Sequence, residues 1–529
     1  MTVFRTWLPE QPLPSAHRAV ALGVFDGLHI GHRAVISAAC GVLDHSGDTP
    51  FLSACVLSLS GVPKTGDRLT DPAERPDLCE TLGVDEWIDL PFAAVRDLSP
   101  AAFVTEILHE KLHARAVCCG YNYRFGKGGA GDVDTLRRLC EPLGIAVTVA
   151  PSAARDGQTI SATAVRAALQ NGDMRTAARL LGRPYAVMQP VTRGNRIGRT
   201  LGFPTVNQVF PEGAAVPRFG VYASLTVIGQ RQYAAVTNVG VHPTVGGCAR
   251  PQAETWIADF DGDLYDRTLR VELIDFLRPE QQFPSIEELK AQIEQDKQAA
   301  LARLAGEDTA DSRAVLFDFD DTLQDRFAAF YGVATEMLTR HFPTLDPDEI
   351  ARRAEYMLAE NNGGYVNYDT YFENLLARWE WQGVTDAAQL RQEYSRCFPR
   401  HTALFDDTAD TLRELRRRGY RLGIITNGSR LLQNRKLDLA KLRPLLDVVV
   451  VSDDEGVRKP HAEIFRRAAA RLCVSPRQCV FVGDHPVNDI AGAVAAGMRP
   501  VYINAAARPD AAVDAPRIHT PAEILDLLK

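Results

Sequence analysis

Two stretches of the sequence carry residue types at spacings that suit phosphate chemistry. At 23–32, GVFDGLHIGH follows an apolar run and opens a helical pattern. Gly27 and Gly31 let the backbone approach a polyphosphate, and the helix start supplies N–H donors and a positive dipole end. His29 and His32 stand three apart there, so both can point at one phosphate, and an imidazolium would stabilise charge building on a transferring phosphoryl group. At 314–326, AVLFDFDDTLQDR runs an apolar strand into Asp318, Asp320 and Thr322. Asp318 can attack phosphorus as a carboxylate nucleophile. Asp320 can protonate the leaving oxygen and then deprotonate water. Further along, Thr426 and Asn427 end GIITN, Lys459 lies in VRKPHAEIF, and Asp484 and Asp489 lie in VGDHPVND. Thr426, with Asn427 beside it, would hold phosphoryl oxygens and Lys459 would balance charge. Asp318, Asp320, Asp484 and Asp489 form a candidate Mg²⁺ set that draws like-charged groups together.

A lone HxGH is more often a helix cap than a site. Here the longer form GxFDGxHxGH is present, and it resembles the bacterial FAD synthetase branch of the nucleotidylyltransferases. GYNYRFGKGGAGD at 120–132 and ISATAVR at 160–166 match further segments of that family in order. The resemblance implies adenylyl transfer from ATP to FMN. It makes His29 and His32 catalytic, and Gly23, Phe25, Asp26, Gly27, Gly31, Ser161, Thr163 and Arg166 contacts to nucleotide or phosphate. Three positions depart from the family: LSLSGVPKTGD lacks its histidine, Ala162 replaces a serine, and Asn122 stands where aspartate is common.

GNRIGRTLGFPTVN at 194–207 resembles the riboflavin kinase motif GxxxGxxLGFPTAN. That likeness implies phosphate contacts at Gly194 and Gly198, and Thr205 and Asn207 as ligands of the Mg²⁺ of MgATP, which suits a hard cation. AETWIADFDGDLYD at 253–266 matches the segment that supplies the family's general base, here Glu254, whose carboxylate can take the ribityl hydroxyl proton. FLRPEQQFPSIEELKAQIEQD matches its closing segment, where Arg278 would orient substrate. The acids, threonine and lysine after 314 resemble the haloacid dehalogenase superfamily, and DxDxT with both aspartates favours its phosphatases over its dehalogenases.

The elements that must hold these residues read as three textures. Residues 17–182 alternate short apolar runs with helical patterns, as a parallel sheet with covering helices does. From 183 to about 278 the runs are strand-like, with Gly, Asn and Asp turns and no long helical period, which reads as a small barrel or sandwich. After a polar stretch at 306–313 the βαβ texture returns, and the wholly helical patterns between its first two strands are too long for a simple connection. The expected organisation is therefore multidomain. It comprises an α/β, Rossmann-like nucleotidylyltransferase domain at 1–182, a β-barrel riboflavin kinase domain at 183–305 and a linker at 306–313. An α/β haloacid dehalogenase-like phosphatase domain follows at 314–529, with a helical cap at about 325–405. Aromatics in that cap, among them Tyr365, Tyr368 and Trp381, read as core before they read as a ring-stacking platform.

Composition bounds the rest. The chain has 529 residues, a net charge of −8 and 46% hydrophobic residues, so each unit can bury a core, and a general nucleic-acid or membrane-surface binder is not expected. Ten cysteines without a CxxC pair suggest a reduced, cytoplasmic chain. The expected ligands are Mg²⁺, ATP, riboflavin, FMN and a phosphomonoester, and the sequence does not give the oligomeric state. A rival reading keeps the riboflavin kinase, makes the N-terminal unit a nucleotide-binding relic, and makes the phosphatase a generalist for nucleotides or sugar phosphates.

Overall fold

The computed structural model describes residues 2–528 except 43–51, 63–66, 156–157, 194–201, 230, 244–248, 307–312, 365 and 507–512. The N-terminal unit is a six-stranded parallel sheet. In spatial order its strands are Val3–Thr6, Glu86–Pro91, Ser53–Ser60, Arg18–Gly23, Ala114–Gly120 and Ala146–Ala150. Arg18–Gly23 lies inside the sheet and is buried on both faces, as its continuous apolar run requires. It delivers GVFDG to the C-terminal edge of the sheet, where the helix Ile30–Cys40 begins. Ligands bind at such edges in open α/β sheets. Val3–Thr6 was not legible in the sequence, because four largely exposed edge residues offer no apolar run.

Helices Ala162–Asn171 and Met174–Leu181 follow, joined at Gly172, whose φ of +76° ends the first helix in the left-handed region. Val165, Leu169, Leu180 and Leu181 on these helices share one core with Tyr222, Val239 and Leu273 of the next unit. That unit is a six-stranded antiparallel sheet in the order Thr205–Val209, Ala249–Ile257, Arg231–Pro243, Gly220–Ile228, Thr268–Arg278 and Tyr185–Pro190. Its edges meet where the Thr192 N–H donates to the Asn207 carbonyl at 2.8 Å, and this bridge closes the sheet into a barrel. The helix Ile286–Ala305 packs on the strands Gly220–Ile228 and Arg231–Pro243.

The third unit is a parallel sheet in the order Val448–Val451, Arg421–Thr426, Ala314–Phe317, Cys479–Gly483, Arg499–Ile503 and Arg517–Ile518. Among the described residues, five α-helices lie between the strands Ala314–Phe317 and Arg421–Thr426; Thr408–Arg417 leads into the second strand, and Arg326–His341, Pro347–Asn361, Tyr368–Arg378 and Ala387–Cys397 form the cap. A short antiparallel pair, Gln324–Asp325 with Ala403–Leu404, forms their neck. These helices enclose their own apolar cluster. Trp381 is buried in it and donates to the Leu375 carbonyl at 3.0 Å, so it is core; Tyr365 lies outside the described residues.

The third unit docks on the other two. Its helix Arg430–Leu439 packs against Ile30–Cys40 and Arg75–Leu82. There Asp438 pairs with Arg33 at 2.8 Å, both side chains buried, and Arg435 donates to the Cys40 carbonyl at 2.9 Å. Arg471 reaches Glu272 of the barrel at 3.1 Å. The nine described cysteines are buried and form no disulfide. No helix among the described residues is long and apolar enough to cross a membrane.

Candidate active sites

At the first sheet edge His29 caps the helix Ile30–Cys40, its Nδ1 accepting the His32 backbone N–H at 3.3 Å. The two imidazoles stack with centroids 3.7 Å apart, and Phe25 meets His32 edge-on at 5.3 Å. Glycine is needed beneath them: a Cβ on Gly31 would come within 3.2 Å of the His29 ring, and one on Gly23 within 3.0 Å of Phe25. Gly27 turns with φ +86°. Gly23, Phe25, His29, Gly31, His32 and Ser161 line one cavity of about 360 Å³. Thr163 and Arg166 line a separate one of about 210 Å³. Arg166 is held there by Asp26 at 2.5 Å and by the Asp67 carbonyl at 2.7 Å, and Asp26 also accepts the Leu69 N–H at 2.8 Å. Asp26 thus fixes Arg166 instead of facing the larger cavity.

Burial works against the expected imidazolium at His29. Burial pushes its pKa down to about 4, with Arg183 and Arg166 adding to that and Asp26 opposing it. With Nδ1 accepting a hydrogen bond, the neutral ring carries its proton on Nε2 and donates from there.

In the barrel, Asn207 lies directly opposite Glu254, and Glu254 opposite Asn238, so three polar side chains share one face of adjacent strands. Thr205 and Trp256 form the next pair on that face, and Lys297 of the closing helix lies 4.6 Å from the Trp256 ring. Asn207 is buried, and its Oδ1 has no hydrogen-bond partner among the described residues. A buried amide oxygen left open is costly unless something binds it, and an Mg²⁺ ligand is such a use, so Thr205 and Asn207 fit the ion. Gly194 and Gly198 lie outside the described residues. Arg278 is already committed: its guanidinium grips Asp296 of the closing helix at 2.6 and 2.8 Å. In this arrangement Arg278 braces that helix.

In the third unit the strand ends bring together most of the expected set. Lys459 Nζ bridges Asp318 and Asp489 at 2.6 Å each. Carboxylate oxygens of Asp318, Asp484 and Asp489 lie within 4.8 Å of one another, which fits a divalent cation. Burial raises the Asp318 pKa, with Asp489 and Asp320 adding to it and Lys459 opposing. Thr426 stands at the end of the neighbouring strand, and Asn427 accepts the Lys459 N–H at 2.9 Å and donates to its carbonyl at 3.0 Å.

Asp320 departs from the expected metal set. Its carboxylate turns to Lys436 and to Gln433 Nε2, the latter at 2.8 Å, and stays outside the acid cluster. Burial alone would raise its pKa, but Lys436 and Arg326 outweigh that and lower it. As it stands Asp320 is a base, and it becomes an acid only after gaining a proton. Lys436, Gln433 and Arg326 were missed in the sequence. Gln433 and Lys436 sit three apart on the helix that opens after TNGS, so they share a face; that spacing was legible in RLLQNRK, but not the burial that brings the pair to Asp320.

Models of three families match along the chain: FAD synthetase over 13–164, riboflavin kinase over 181–304 and haloacid dehalogenase-like hydrolase over 312–497. The bifunctional riboflavin kinase/FMN adenylyltransferase of Escherichia coli K12 is 34% identical over 299 residues, 54% of this chain and 93% of that protein. Its namesake from Listeria monocytogenes is 32% identical over 298 residues, 55% of this chain and 93% of that protein. The chain belongs to the bifunctional riboflavin kinase/FMN adenylyltransferase family. It extends that family with a haloacid dehalogenase-like phosphatase unit, and the expected three-part architecture is the observed one. A solved haloacid dehalogenase-type phosphatase from Thermococcus onnurineus is 31% identical, covering 41% of this chain and 97% of that one, with a TM-score of 0.31. The chain is thus a kinase and adenylyltransferase for flavins, with ATP, riboflavin and FMN as fitting substrates. The rival reading, a relic N-terminal unit, fits no better.

Proposed function

We propose that the three activities use the residues named above, and that the phosphatase acts on a phosphate ester of the flavin route. In the barrel, Glu254 takes the proton of the ribityl hydroxyl as its oxygen attacks the γ-phosphorus of ATP and ADP leaves, and Thr205 and Asn207 would hold the metal that offsets the phosphate charge. At the first sheet edge, the FMN phosphate attacks the α-phosphorus of a second ATP and pyrophosphate leaves. Neutral His29 and its stacked partner His32 donate to the phosphate oxygens, and the glycines at 27 and 31 allow the close approach. In the third unit Mg²⁺, held by Asp318, Asp484 and Asp489, would offset the charge of nucleophile and ester. Asp318 attacks phosphorus, the ester P–O bond breaks, and Asp320, once protonated, gives its proton to the leaving oxygen. Asp320 then takes a proton from the water that hydrolyses the aspartyl phosphate.

The observation that carries the substrate proposal is the packing of the phosphatase helix Arg430–Leu439 on the helix that His29 caps. The same helix holds Asp320 through Gln433 and Lys436. A phosphatase this closely integrated with flavin chemistry would form a futile loop if it consumed FMN. The upstream ribitylamino-pyrimidine phosphate, which must lose its phosphate before riboflavin exists, avoids that loop. The test compares kcat/KM for this compound, FMN and a panel of sugar phosphates and nucleotides, with Asp318→Asn as the dead control. A common sugar phosphate turned over far faster than both flavin-route compounds would leave only a generic phosphatase.

A further inference from the structure

We infer that the junction of the three units is a binding site for a small, multiply charged oxyanion, a phosphate ester or a diphosphate. A cavity of about 360 Å³ lies there, lined from all three units and separate from the three candidate active sites. That volume is in the range of small-ligand sites. Ten arginines line it against six carboxylates.

An interface held only by ion pairs needs one acid for each base. Here the acids are shared. Asp438 serves both Arg33 and Arg443. Glu74 serves Arg183 at 3.2 Å and Arg270 at 2.7 Å. Arg270 also leans on Glu272, which in turn serves Arg471 at 3.1 Å, and Arg471 shares Glu455 with Arg467. Arg175, Arg179 and Arg430 have acids of their own in Asp275, Asp447 and Asp454, yet among the side chains that line the space guanidiniums outnumber carboxylates, ten to six. The crowding of like charge shows on two of the guanidiniums. Burial, with Arg33 next, pushes the Arg443 pKa down to about 10, and burial, with Arg175 and Arg179, lowers that of Arg421. Like-charged neighbours thus add to burial at these two guanidiniums, whereas Arg270 and Arg471, each set between two acids, are raised. Forked donors converging on one space suit an anion with several acceptor oxygens, which phosphate offers and chloride does not. Such a ligand would contact all three units at once, so its binding free energy would add to the stability of their docked arrangement.

The test uses the full chain. Crystals soaked in tungstate, an oxyanion with a strong anomalous signal, should show a peak within hydrogen-bond reach of the Arg421 or Arg443 guanidinium. In parallel, inorganic pyrophosphate, glucose 6-phosphate and inorganic phosphate are titrated without Mg²⁺ by calorimetry. The expected result is binding of at least one probe that weakens tenfold or more in Arg175→Gln/Arg421→Gln, while FMN formation from riboflavin is unchanged. Preference for pyrophosphate would identify a diphosphate ligand, and preference for the sugar ester a monoester. The inference is overturned if tungstate occupies only the catalytic sites, or if the double variant, still making FMN, binds every probe as the wild type does. Should the variant fail to fold, the tungstate map on the wild-type chain decides alone.

Discussion

Histidine 29 should stay neutral throughout the pH range in which an ordinary histidine gains charge. The residue is 5% exposed, its Nδ1 accepts the His32 N–H, and burial lowers its pKa from 6.5 to about 4. The shift corresponds to about 3 kcal/mol against the charged form. At pH 7 about one molecule in a thousand would carry the imidazolium, against about a quarter for a free histidine. The sign for stability follows. A depressed histidine pKa contributes nothing unfavourable above the unfolded value of about 6.5, and stability is lost as the pH falls from there toward 4, because the unfolded chain takes the proton first. The assay is ¹³C-histidine NMR of the Cε1–H signals, with His29 assigned by its absence in His29→Asn, a variant whose amide oxygen can still cap the helix. The expected signal shows no titration midpoint above pH 5, and kcat/KM for FAD formation shows no acid limb near 6.5 from this residue. A midpoint at pH 6 or higher would refute the reasoning, because burial would then not be what controls the ring.

Asn207→Ala should lower kcat/KM of the kinase for MgATP by about 10–100-fold, as loss of a metal-orienting group does, and leave FAD formation from supplied FMN unchanged; coupled assays of the two steps check this. Lys436→Met removes the cation that holds Asp320 ionised, and phosphatase kcat should drop by about 100-fold, the usual scale for disturbing an acid–base group, with kinase turnover as the unaffected control. Asp438→Ala leaves Arg33 and Arg443 buried without their shared acid, at a cost of about 3–5 kcal/mol, read as an earlier urea midpoint for loss of the docked arrangement.

The sequence made the strand-end residues legible because phosphate chemistry constrains local pattern: glycines where backbone must come close, acids one residue apart after an apolar strand. Helix starts and parallel strands followed from the same runs. What stayed hidden depends on tertiary placement. Nothing in GLHIGH says that His29 is buried deeply enough to lose its charge, and two of the charges that act on its ring, Arg166 and Arg183, lie 137 and 154 residues further on. Asp320 read as a metal ligand from its spacing to Asp318, yet the lysine that captures it lies 116 residues on. The arginine-lined junction was equally invisible, because its members come from all three units and each alone reads as a solvated surface charge.

The central claim is that one chain holds three chemically separate sites. A single chromatographic experiment tests it most directly, with riboflavin, ATP and Mg²⁺ supplied to the wild type and to three variants, and phosphate release from the pyrimidine phosphate followed alongside. The wild type should make FMN and FAD. Glu254→Gln should make neither from riboflavin, yet make FAD from added FMN. His29→Ala should accumulate FMN without FAD, and Asp318→Asn should make both flavins but release no phosphate. A single substitution that removes both FMN formation from riboflavin and FAD formation from added FMN, or phosphate release together with either, in a chain that remains folded would contradict the account.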